Sequence, residues 1–182
     1  MTKKRCKWVE DKEEIYIKYH DFEWGVPVYD DKKLYEMFLL ECFQAGLSWI
    51  TILKKRENFK KAFDNFDVQK IANYDDEKLE ELANNPGIIR NRGKLKAAIN
   101  NANIYLDIQK EFGSFCKYIW SFSNGKILKD TPENYKTQSA ISYKISNDLK
   151  KRGMKYIGSI TIYSYLEAVG IINNHTHECF KF

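Results

Sequence analysis

From Leu34 to Trp49 the chain is apolar on nearly every side of a helix, a pattern that places such a helix inside a core rather than on a surface. Leu34, Phe38, Glu41 and Ala45 fall at helical spacing on one side, so Glu41 shares a face with core residues and not with Lys32 and Lys33. An ionised carboxylate is costly to bury unless it is paired or hydrogen-bonded. Glu41, followed by the turn Gly46-Leu47-Ser48-Trp49, is therefore a candidate for binding something polar and flat.

The same 3.6-residue spacing runs through the rest of the chain. A short helix is expected over Glu13–Asp21, followed by a turn at Gly25 and Pro27. Asp30 is placed to cap the helix carrying Glu41 and Gly46 to end it; Ser48 is placed to cap the next, striped by Trp49, Ile52, Leu53 and Phe59. Asp67 and Asp75 should cap two short helices, the second ending at Asn84-Asn85-Pro86-Gly87. A longer helix is expected over Arg92–Phe112 with Leu95, Ile99, Ala102 and Leu106 inward and Gly113 as its stop, then a short one over Phe115–Phe122. The stretch 130–139 reads as the loosest segment, open to a turn or a brief strand pair. Helices over Ser142–Arg152 and Ser159–Val169, closed by Gly153 and Gly170, complete an all-α chain without strand periodicity, repeats or low-complexity linkers.

At 182 residues this suits one domain spanning 1–182, long enough to bury a core. A net charge of +5 permits nucleic-acid binding without demanding it, since a lysine-rich solvated surface has the same charge. The N-terminus has no apolar stretch to serve as a signal peptide and no run is long enough to span a bilayer, so a soluble, cytoplasmic protein with no membrane partner is expected, with monomer as the default. In that compartment the four cysteines should be reduced or metal-bound. Cys42 and Cys116 read as buried core thiols; Cys6 and Cys179, at opposite ends, do not.

Three groups of residues carry candidate chemistry. The first is the corner at 82–102, where Gly87, Arg90, Arg92, Gly93, Lys94 and Lys96 surround a helix N-terminus. Backbone N–H groups there can hold a phosphate oxygen, with the basic residues around it, in the outline of a helix-hairpin-helix clamp on a DNA backbone. An ordinary helix corner with solvated charges has the same appearance. The second is Cys6 and His20 with His175 and Cys179, a Cys₂His₂ set that would let zinc tie segments 1–25 and 170–182 together, with His177 competing for the place of His175. The third is the crowd of Trp8, Tyr16, Tyr19, Trp24 and Trp49. Core packing accounts for any one of these rings, but a cluster beside a core-facing acid suits an extruded nucleobase.

Taken together, Arg5-Cys6-x-Trp8, Tyr19-His20-Asp21-x-Glu23-Trp24-Gly25-Val26-Pro27, Leu40-Glu41-x-x-Gln44-Ala45-Gly46-Leu47-Ser48-Trp49, Gly87-Ile88-Ile89-Arg90-x-Arg92-Gly93-Lys94, Arg152-Gly153 with Tyr156-Ile157-Gly158, and His175-x-x-x-Cys179 give the chain its likeness. It resembles the bacterial 3-methyladenine DNA glycosylase I (TAG) family over nearly its whole length. The resemblance implies a helix-hairpin-helix glycosylase fold and one structural Zn²⁺ at Cys6, His20, His175 and Cys179. It implies a base pocket in which Glu41 hydrogen-bonds the lesion, Trp49 and Tyr19 stack on it, and Tyr16 and Trp8 enclose it, while Gly46 and Leu47 approach the gap left by the flipped nucleotide. The implied partners are alkylated double-stranded DNA and free 3-methyladenine as product. Hydrolysis without lyase chemistry is expected, because no lysine stands out for a Schiff base and no catalytic aspartate follows the hairpin.

Overall fold

A computed structural model describes residues 3–129 and 136–182, so most of the stretch 130–139 lies outside the described residues. The helices are α1 (Glu14–Phe22), α2 (Asp31–Gln44), α3 (Trp49–Ala62), α4 (Val68–Ala72), α5 (Asp76–Asn84), α6 (Arg92–Phe112), α7 (Phe115–Ser121), α8 (Ala140–Lys151) and α9 (Ser159–Ala168). Their starts are set by short polar side chains. Asp30, Asp67, Asp75 and Asn91 accept backbone N–H bonds from the first turns of α2, α4, α5 and α6. Ser48 stands at the start of α3, but its hydroxyl bonds Thr51 Oγ1 at 2.7 Å rather than a backbone N–H. No helix among the described residues is long and apolar enough to cross a membrane.

α2 is the axis of the molecule. Every residue from Met37 to Phe43 is buried, as expected of a helix apolar all round, and α3, α6, α7 and α9 pack about it. α6 turns a face of Leu95, Ala98, Ala102 and Tyr105 inward. Ile99 and Leu106, expected inside, are only half-buried, because the buried stripe follows i, i+3, i+7 and i+10 from Leu95 and passes through Tyr105 instead. Cys116 is likewise half-buried rather than a core thiol, whereas Cys42 is buried.

One departure from an all-helical chain is a parallel pair, β1 (Leu128–Lys129) against β2 (Ile172–Asn173). Two residues per strand carry no periodicity, so nothing in the pattern announces them. This pair follows Gly170, which has φ +71° and sits where a Cβ would come within 2.4 Å of Val26 C and Pro27 N. Only glycine both adopts that backbone and lets the 25–28 loop lie against it, and Val28 N–H then donates to Val169 O at 3.0 Å. That contact brings the N-terminal and C-terminal segments side by side.

Asp31 fastens the start of α2. Its Oδ2 accepts from Gln109 Nε2 (2.7 Å) and Phe115 N–H (2.9 Å), its Oδ1 from Cys116 N–H (2.8 Å), and its carbonyl from the Tyr105 hydroxyl (2.8 Å). One carboxylate thus ties α2 to the end of α6 and the start of α7. Replacing it orphans two backbone donors, so Asp31→Ala is expected to destabilise the protein by about 3 kcal/mol, read as a lower urea midpoint with an unchanged m-value.

Candidate active site

Glu41 lies in the third turn of α2, only 4% exposed, and its Oε2 has no hydrogen-bond partner. Burial, with a smaller push from the charge of Glu167, raises its carboxyl to about 8. Burial therefore favours the neutral acid at pH 7. It faces a cavity of about 270 Å³ whose walls include Trp8, Tyr16, Tyr19, Trp24 and Trp49, near the lower end of the volumes usual for small-molecule sites, roughly 300–1,000 Å³. The Tyr19 and Trp49 rings stand 5.2 Å apart, and Trp8 meets Tyr16 edge-on at 5.2 Å and Trp24 at 4.9 Å. Trp49 Nε1 is also buried and unpartnered. The cavity therefore pairs flat apolar walls with two unsatisfied polar atoms, which is the equipment for holding a heteroaromatic ring by its faces and one edge.

The cavity has a second wall absent from the sequence reading. Ser164 and Glu167, one turn apart on α9, face it together with Gln44, Asn174 and Thr176. A signal existed: these two polar residues share one side of a helix that buries Ile162, Tyr163, Tyr165 and Leu166. The end of α1, which carries Tyr19, is fixed by Arg56 of α3. Its guanidinium forks onto Glu23 (2.9 and 2.8 Å) and reaches Glu36 at 2.7 Å, while Lys33 bridges the same two carboxylates.

Behind the aromatic wall, Cys6, His20 and Cys179 bring their donor atoms within 4.8 Å of one another, all buried and able to hold a metal ion. Arg5 grips Asp21 with bonds of 2.8–3.1 Å, holding its carboxyl at about 2, and Asp21 takes His20 Nδ1 at 2.9 Å. That leaves His20 Nε2 facing Cys179 Sγ at 3.5 Å. His175 packs 5.2 Å from the His20 ring, with its Nδ1 on Asn173 Oδ1 (2.9 Å) and its Nε2 buried without a partner. Burial lowers the pKa of both imidazoles, that of His175 to about 4, so both are neutral as metal ligands must be. Gly25, at φ +73°, admits this ring, since a Cβ there would meet His175 Cε1 at 2.5 Å. His177 is exposed and lies against Phe182, away from the cluster. The cluster and the cavity share a wall: Thr176 N–H donates to Cys6 Sγ, and Trp8 and Trp24 pack on His20 and His175.

The basic corner is less uniform than its sequence. Gly46 and Leu47 are exposed in the α2–α3 turn, as are Arg90, Arg92 and Gly93, with Gly87 half-buried. Lys94 is different. It is 7% exposed and its ammonium donates to Phe43 O (2.7 Å) and Ala45 O (2.6 Å), closing the carbonyl end of α2. Its expected place on a DNA phosphate is thereby corrected: the charge is committed inward. Arg92 forks onto Glu80, and the turn at Gly87 is held by Asn85, Lys55 and Asn58. A second helix corner, Arg152–Gly158 between α8 and α9, is more open. Gly158 precedes α9 with no side-chain cap, Lys151, Lys155, Tyr156 and Ile160 are exposed, and the same α9 reaches the cavity at Ser164 and Glu167.

Lys94→Met should lower stability by about 2–3 kcal/mol through the two lost charged hydrogen bonds, whereas Arg90→Ala should leave the urea midpoint unchanged and reduce the salt slope of DNA binding by about one. Glu41 ionises near 4.5 when unfolded and about 8 when folded, so the folded state binds more protons between those values and loses stability as pH rises through them. Thermal unfolding should therefore show Glu41→Gln more stable than the parent at pH 8, with the gap closing towards pH 4.

Comparison with known proteins gives these features a lineage. Residues 8–182 match the model of the family described as methyladenine glycosylase. DNA-3-methyladenine glycosylase 1 of Escherichia coli is 45% identical over 178 residues, covering 96% of this chain and 95% of that protein. A crystal structure of 3-methyladenine DNA glycosylase I superposes with a TM-score of 0.93 at 44% identity, covering 97% of this chain and 98% of that one. A variant of that enzyme type, solved in complex with 3-methyladenine, gives a TM-score of 0.92 at 37% identity over 97% and 96% of the two chains. The chain belongs to the methyladenine glycosylase family.

Proposed function

We propose that the protein is a monofunctional DNA glycosylase that extrudes 3-methyladenine from alkylated DNA and hydrolyses its N-glycosidic bond, leaving an abasic site. The observation that carries this reading is the buried, unpartnered Glu41 oxygen in an aromatic-walled cavity. Methylation at N3 makes the base cationic and its bond to the sugar weak, so the base leaves neutral and needs no general acid. The protein has to extrude the nucleotide, hold the base, and leave C1′ open to water. Trp49 and Tyr19 offer faces for stacking and cation–π attraction. Burial holds the Tyr19 phenol well above its usual range, so it remains a neutral donor. Glu41, whose neutral form is favoured by burial, meets the purine edge, and a cation beside it favours its carboxylate. Unmethylated adenine carries neither the charge nor the weakened bond.

The open N-terminus of α9 and the exposed Arg90 support a DNA face, and Leu47, exposed in the α2–α3 turn, would enter the vacated stack. Cys6, His20, His175 and Cys179 would hold Zn²⁺ as a closed four-ligand site, whose contribution is structural.

Glu41→Ala should fold normally and release 3-methyladenine from methylated DNA at least about 10²-fold more slowly, the usual scale for loss of one preorganised polar contact. Chromatography of the released base checks this, and an unchanged rate overturns the role. Metal analysis should find about one zinc per chain, and stripping it should lower Tm; a metal-free protein of undiminished stability rejects the clip.

A further inference from the structure

A buried amide outside the aromatic cavity holds the α8–α9 corner. Asn101, in the middle of α6 and only 3% exposed, grips both backbone groups of Lys155: its Oδ1 accepts Lys155 N–H and its Nδ2 donates to Lys155 O, each at 2.9 Å. Its neighbour Asn100 donates to Gly153 O at 3.0 Å, and the buried Ser146 hydroxyl of α8 donates to Ile157 O at 2.7 Å. The carbonyls of Gly153, Lys155 and Ile157 are thus all tied back to α6 and α8. Between the last two, Tyr156 stands at φ +58°, a left-handed conformation that a bulky residue keeps only when its surroundings hold it there. Among the described residues the N–H groups of Tyr156, Ile157 and Gly158 meet no acceptor, and Gly158 brings no side chain to cap α9. The same face of α6 carries a second anchor. Lys94, about two turns before Asn101, closes α2 just ahead of the Gly46-Leu47 turn. One side of one helix therefore fixes both the α2–α3 turn and the α8–α9 corner.

Resting on the reading of the α8–α9 corner as part of the DNA face, we infer that Asn101 is a positioning residue for DNA binding: its paired hydrogen bonds to Lys155 hold Tyr156 in the left-handed conformation and so aim the free N–H groups of residues 156–158 at a phosphate of the duplex. A backbone N–H has no reach of its own, and its direction is set by the φ and ψ of the residues beside it. Successive N–H groups converge on one anionic oxygen only when a turn of this kind is kept in shape. Once Lys155 is released, Tyr156 gains by leaving the left-handed region, and the three donors no longer point together. Neutral amides hold a phosphate without neutralising it. This contact therefore contributes affinity and register but little salt dependence, in contrast to Arg90.

The test measures binding of a duplex carrying a tetrahydrofuran abasic-site analogue by fluorescence anisotropy, and binding of free 3-methyladenine by calorimetry. Asn101→Leu keeps a branched side chain and removes both hydrogen bonds. It should weaken duplex binding on the order of tenfold, the scale of one or two neutral hydrogen bonds, with the salt slope of the parent, and change binding of the free base less than about twofold. Ser146→Ala, which releases only Ile157 O, carries the same test in a milder form and should cost about threefold. Tyr156→Gly supplies the rescue, because glycine occupies the left-handed region without help: in that background Asn101→Leu should cost less than about threefold. A residue that merely packs the core would cost the same in both backgrounds. That result overturns the inference, as does unchanged duplex affinity in both Asn101→Leu and Ser146→Ala, or an equal loss for duplex and free base. A parent protein that binds free 3-methyladenine but no duplex overturns the DNA-face reading itself, a result distinct from the other three.

Discussion

A helix leaves its first N–H and last C=O groups without partners of its own, and one buried through its middle is held in place where those ends find them. This constraint organises the molecule around α2. At its start Asp30 caps the first turn and Asp31 gathers donors from α6 and α7; at its end the Lys94 ammonium takes the carbonyls of Phe43 and Ala45. Each end is closed by a residue from elsewhere in the chain or by a cap that orients one. With both ends satisfied, two buried side-chain oxygens of α2 have no partner among the described residues, the Tyr35 hydroxyl within the core and Glu41 Oε2 at the cavity. Of the two, Glu41 is the acid and the one that lines the aromatic cavity, and that combination marks the site.

Most helix boundaries are legible in the sequence because they rest on local chemistry. Asp67 and Asp75 cap where they stand, and Gly113 ends α6 in the left-handed conformation. What could not be read depends on three-dimensional neighbours. Lys94 looks like any other member of a basic run, yet its long apolar stem lets the ammonium be carried inward to two carbonyls some fifty residues earlier in the chain. The 128–129 and 172–173 pair is too short to leave a pattern. In the site, the N-terminal aromatics and Glu41 stand out because each is unusual where it sits. Ser164 and Glu167 do not, since polar residues on one side of a helix ordinarily mean solvent.

The DNA-facing assignment changes in a related way. Basic residues around 90–96 dominate the sequence, but in space their charges are divided between an ion pair with Glu80, the inside of the protein at Lys94, and the surface at Arg90. The α8–α9 corner is modest by composition and stronger by geometry. Its second helix begins without a side-chain cap and ends in the wall of the cavity, so one rigid element spans from a backbone-donor site to the pocket. Tyr156, in that corner, touches the first one through Gly93, where a Cβ would meet its hydroxyl at 2.7 Å.

The joining of the chain's two ends has a consequence for how the protein is made. Trp8 and Tyr16 are made before every described helix but the first, whereas Thr176 and Cys179, which complete the cavity wall and the thiol–imidazole cluster, follow α9. The aromatic face must therefore persist without its final cover while α2 to α9 are made, a hydrophobic surface open to mispairing. Competence to bind thereby waits for the segment that follows α9: a ribosome that stalls within α9 leaves a chain with most of the described helices and no finished pocket.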